Sequence, residues 1–206
     1  MSHPSDRLLR QLSQVSEELQ EVFAERGHRV DVALEADESF GSTAQSKTSL
    51  MRELALDAVA AAASRVGVQF GAVNGSGREL RAFDDGVDRR FRVRRASRDS
   101  DGNIVLMANS DAPLRVVVDE GDGLYPVEAW AFGWIPVAEA VLVAEVFVAP
   151  ILDFVPGNPG HLVLGRAIPL LGPDTPSGGG FRPRDEGLDG FDDDEDDELG
   201  GNTGMV

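Results

Sequence analysis

The chain has 206 residues, 42% of them apolar, and a formal net charge of −17. That length accommodates one domain with a sizeable core plus tails, and the absence of cysteine excludes disulfides, thiolate metal sites and cysteine nucleophiles, which suits a reducing cytoplasm. Such acidity is at odds with general nucleic-acid binding, so any phosphate contact needs a local basic patch.

The first element is a helix over about 5–27, with Ser5 as N-cap, Asp6 in the first turn and Gly27 as the stop. Leu8, Leu12, Val15, Leu19 and Val22 recur at alternating spacings of four and three, a two-heptad apolar seam. The seam packs on the chain's own domain or receives a partner helix, including that of a second copy in a homodimer. Residues 1–7 lead into this amphipathic pattern and not into an apolar stretch, so no secretory signal is expected.

Arg29 to Leu34 alternates weakly as a strand, and Glu35 to Ser49 reads as a polar loop. A core helix follows over about 49–66, rich in alanine, whose small side chains permit close approach to a sheet; Gly67 ends it. From residue 68 the period changes to two. Segments 68–73 and 78–83 flank Asn74-Gly75-Ser76-Gly77, a hairpin turn signal. Phe91 to Ala96 and Ile104 to Met107 flank Asp101-Gly102-Asn103 in the same way, and Leu114 to Val118 is a short apolar strand.

Residues 129–152 are the most hydrophobic stretch. Pro136, Pro150, Glu139 and Glu145 argue against a membrane span, since a central carboxylate costs about 2–3 kcal/mol there. The stretch is expected to hold a strand with Trp130, Phe132 and Trp134 on one face, then an apolar strand or helix over 137–148. A turn at 156–160 and a last short strand at 162–164 complete the domain.

Beyond Gly172 the composition shifts to Pro, Gly, Ser and acid. Residues 1–172 hold 17 basic and 25 acidic residues, or −8, and residues 173–206 hold 2 and 11, or −9. The run Asp192 to Glu198 repels itself and buries nothing, so 173–206 is expected to be a disordered tail. The fold class is α+β: a single domain over 1–172, with two N-terminal helices on a mainly antiparallel sheet of five to seven strands over about 68–165, and the acidic tail.

Val87 to Arg98 carries six arginines. Strand alternation sets Phe91, Val93 and Arg95 on one face and Arg90, Arg92, Arg94 and Ala96 on the other. Arg90, Arg92 and Arg94, with Arg98, form the candidate binding row, for nucleic-acid phosphates, a partner's carboxylates or the acidic tail; otherwise the row is a sheet face paired with acids on neighbouring strands. Arginine enrichment carries limited weight here, since Lys47 is the only lysine against 18 arginines.

Gly41 to Thr48 imitates a phosphate loop, but Ser46 stands where a glycine is needed and no apolar strand leads into it. His3, His28 and His161 show no metal spacing and no nucleophile motif, so hydrolase chemistry is unsupported; a metal-free RNase pairing His161 with Arg92 or Arg94 rests on residue type alone. No catalytic or metal-ligating residue and no cofactor is expected. The reading is of a small cytoplasmic, bacterial-type interaction or regulatory protein with no place in a membrane. It binds a partner through the heptad helix or the arginine strand. The alternative is a nucleic-acid-acting effector, such as the toxin of a toxin–antitoxin pair, gated by an acidic tail or partner.

Overall fold

Ser5 opens the first helix as expected: its hydroxyl oxygen accepts a hydrogen bond from the Leu8 N–H at 3.2 Å, and Asp6 sits in the first turn. The computed structural model describes residues 2–41, 44–73, 77–108 and 124–170. Helix α1 spans Asp6–Arg26, and Leu8, Leu12, Val15, Leu19 and Val22 are all buried in a core shared with a long helix, α4 (Ala44–Val66). The seam is therefore packed inside the domain and presents no apolar stripe to a partner helix or a second copy.

Two helices lie where other structure was expected. Gly27 keeps a helical backbone, and the chain passes directly into α2 (His28–Glu35), over the segment read as a strand. Val30 is buried, Leu34 partly buried and Val32 61% exposed, so burial follows a helical spacing of four, not a strand's spacing of two. A short helix α3 (Glu38–Gly41) follows, and α4 begins at Ala44, five residues before the expected start. Thr48 lies inside α4 and donates its hydroxyl to the Ala44 carbonyl at 2.9 Å, so residues 44–48 of the segment that imitates a phosphate loop are helical. Gly67 does end α4, at φ +75°, where the Val68 N–H closes the helix on the Ala63 carbonyl at 3.0 Å.

The strands are β1 (Gln69–Val73), β2 (Gly77–Asp84), β3 (Val87–Arg95), β4 (Ser97–Arg98), β5 (Ile104–Ala108), β6 (Val127–Pro136), β7 (Val143–Val155), β8 (Gly160–Leu164) and β9 (Ile168–Pro169). These nine among the described residues exceed the five to seven expected because β4 and β9 are two-residue pairings. The order is β1-β2-β3-β6-β7-β8-β5-β4, with β9 on β7, and every pairing is antiparallel except β3 with β6. The class is thus α+β, with helices packed on a mostly antiparallel mixed sheet. The expected strand at 114–118, the turn at 74–76 and the tail at 173–206 lie outside the described residues.

The arginine strand is not paired with 104–107. β3 lies between β2 and β6, and only its continuation β4 pairs with β5. The Ala96 N–H still donates to the Trp134 carbonyl at 2.8 Å, so the path through β6, β7, β8 and β5 returns to the strand it left. Two cores result. Trp130, Phe132 and Trp134 face the helices with Phe91, Val93 and Leu80, whereas Ala129, Ala131, Phe147, Ala149 and Ile151 fill the inside of the ring. Irregularities at Ile135/Pro136 and Ile151/Asp153 bend β6 and β7 where the ring curves.

Candidate functional site

The alternation in β3 places Arg90, Arg92 and Arg94 on the face away from the helices, as the sequence implies, but that face is not a bare row of cations. Register sets Glu79 of β2 beside Arg92, with Arg92 Nε 3.4 Å from Glu79 Oε2. This is ion-pair distance without a hydrogen bond, and Glu79 Oε2 makes none. Burial pushes the Glu79 carboxyl up, against the pull of Arg92, Arg90 and Arg81; burial also lowers Arg92, which Glu79 partly offsets. Asp88 accepts two hydrogen bonds from Arg81, at 2.8 and 2.7 Å, and two from Arg90, at 3.2 and 3.0 Å. Arg94 is partly buried; burial, and then the neighbouring Arg52 charge, lower it, and among the described residues it has no hydrogen bond or ion pair. Arg98 is apart from these, exposed on β4 and held by Glu145 at 3.0 and 2.6 Å. Four expected binding residues are thus split between a largely neutralised inner cluster and one surface pair.

Arg89 went unassigned in the sequence. It shares the helix face with Phe91 and Val93, and its side chain is wholly buried. Register brings Glu128 of β6 against it, and Arg89 Nε donates to Glu128 Oε2 at 3.2 Å, while Nη1 donates to Asp84 Oδ2. The Trp130 indole also donates to Glu128 Oε2, at 3.1 Å. Burial pushes Glu128 up, but the Ser2 N–H, the Trp130 indole and Arg89 together hold it below its ordinary value. A charged residue on the hydrophobic face of a strand was the signal available for Arg89, because such a charge demands a partner.

A cleft of about 1070 Å³ opens beside this triad, between the first turns of α1, the start of β1, the end of β2 and residues 124–127. Asp85 (φ 49°) and Gly86 (φ 79°) form the β2–β3 turn, and Asp85 borders the cleft. Phe83 and Tyr125 stack edge to face with centroids 4.6 Å apart on its rim, although they are 60% and 47% exposed; Leu124 beside them is 87% exposed.

The residues suspected of chemistry do not converge. His3, His28 and His161 are all exposed, and His161 on β8 is separated from β3 by β6 and β7 in the sheet. Among the described residues no group of three or more His, Asp or Glu could hold a metal ion, and no helix is long and apolar enough to cross a membrane. No family model, curated protein or solved structure matches this chain.

Proposed function

We propose that this protein is a non-catalytic interaction or regulatory protein that docks a basic partner segment, anchored by an apolar side chain, in the cleft between α1 and the β2–β3 turn. The observation that carries this reading is the aromatic pair Phe83–Tyr125 with Leu124, large apolar side chains left in water at the edge of a cleft of about 1070 Å³. Charge selects the partner. Asp84 and Asp88 in the lining are already held by Arg89, Arg81 and Arg90, so the attraction for a cation rests on Asp85 at the cleft and on the whole-chain charge of −17, which steers cationic partners toward the protein. The heptad seam, Arg90 and Arg92 are buried and Arg94 partly so, which leaves this reading to a different surface from those the sequence suggested.

Selection from a displayed peptide library tests it. Sequences pairing an aromatic or leucine residue with Lys or Arg should be enriched on the wild-type protein. Their affinity should fall at least tenfold on Phe83→Ser/Tyr125→Ser, whose exposed sites keep the melting temperature within a few degrees. Enrichment that survives the double substitution, or of acidic sequences, overturns the reading.

A further inference from the structure

Residues 2–5 cross the end of the sheet as a strap outside any helix or strand, with Ser2 and His3 exposed and Pro4 buried. Arg89 Nη2 donates to the Ser2 carbonyl at 3.3 Å, the Ser2 hydroxyl at 2.6 Å and the His3 carbonyl at 3.2 Å. The Ser2 N–H donates to Glu128 Oε1 at 2.8 Å, and the Ser5 N–H to Asp84 Oδ2 at 3.0 Å, with the Ser5 hydroxyl also donating to Asp84. Four of these groups belong to the main chain, and the two hydroxyls stand three residues apart. The surface that receives them comes from elsewhere in the fold. Arg89 is fixed by Asp84 and Glu128, Glu128 by Trp130, and all four lie on β2, β3 and β6.

The strap is also a wall between two spaces. Ser5 borders the cleft beside α1, and Ser2 and His3 border a second one of about 480 Å³, lined by Trp130, Pro150 and Ile168.

We propose that Arg89, Asp84 and Glu128 form a peptide-binding cradle that residues 2–5 fill as an intramolecular ligand. The ligand class is an extended segment with hydroxyl side chains three positions apart, recognised chiefly through its backbone, and the strap excludes such segments until it lifts. The arrangement follows the logic of peptide receptors, in which main-chain hydrogen bonds give affinity and a few side chains give selectivity. A tethered occupant competes at the high effective concentration that its short tether imposes.

The test uses the Trp130 indole N–H as an NMR probe, since its acceptor is Glu128. In a chain lacking residues 1–5 this signal should move. Synthetic Ser-His-Pro-Ser amide should return it toward its full-length position in a saturable way, while Ala-His-Pro-Ala amide does not. The full-length chain should bind the serine peptide at least tenfold more weakly. No saturable shift, an equal response to the alanine peptide, or equal binding by the full-length chain overturns the proposal. A second measurement does not depend on the shortened chain folding. In the full-length protein the Ser5 amide should exchange hydrogen at least tenfold faster than Leu12 and Val15 in α1, because the strap lifts without unfolding the helix. Exchange at the same rate shows that the strap leaves only on unfolding and overturns the proposal.

Discussion

Arg89 is a charge held wholly away from water, and it is tolerated because two carboxylates and the backbone of residues 2 and 3 take up its donors. Replacing it with Met fills similar volume but leaves Asp84 and Glu128 with no cation between them. Urea unfolding at pH 7 should show a loss of about 3–5 kcal/mol, shrinking below about pH 4 as the carboxylates protonate. A loss under about 1 kcal/mol would show that the strap alone satisfies them. The two buried glutamates act in opposite directions with pH. Glu128, held low, contributes stability that is complete above the ordinary glutamate value of 4.5 and is lost as pH falls through its folded value, so Glu128→Gln should flatten the acid limb of the stability curve. Glu79, pushed up, contributes most at low pH and loses that contribution as pH rises through its folded value. At this scale the sequence was legible in part. Alternation assigned Arg90, Arg92 and Arg94 to one face, but whether that face is wet depends on Glu79 and Asp88. Glu79 is brought to Arg92 by the β2–β3 register, which no local pattern in β3 reveals, whereas Asp88, two residues before Arg90 on the same face of β3, was open to the alternation.

Among the elements, α1 and most of α4 were legible because long apolar periodicities and a capping serine agree with the tertiary packing. Segment 29–34 was not, because three apolar residues at spacing two carry little information, and no neighbouring strand exists to make a ladder. Asp85-Gly86 is a two-residue hairpin signal, and passing over it led to β3 being paired with the wrong neighbour. At one close approach in the ring, a Cβ at Gly133 on β6 would strike the Phe147 ring on β7, its register partner. Gly133→Ala should therefore destabilise by about 1–3 kcal/mol through overpacking. Combined with Phe147→Leu, the loss should fall short of the sum by about 0.5 kcal/mol or more in a double-mutant cycle. Strict additivity would show that the added methyl is accommodated elsewhere.

The whole molecule joins two cores across β6 and β7, one against the helices and one inside the ring, so a single sheet serves both. Helical and alternating periodicities announced the α+β class, but the closure through β4 and β5 joins distant segments and has no local sequence signature. At the far end of the order stands β1, with no strand on its outer side among the described residues. Its residues, Gln69-Phe70-Gly71-Ala72-Val73, include no charge and no proline, the usual protections of an exposed edge. Net charge is then what opposes pairing of two such edges. A net charge of −17 repels over roughly 10 Å at 0.1 M salt but only about 3 Å at 1 M. Light scattering should show attraction between molecules rising steeply across that range, and Ala72→Lys, at an exposed position of β1, should abolish the rise. An unchanged salt response in that variant would place the attraction on another surface. On this account ionic strength sets how closely two molecules approach.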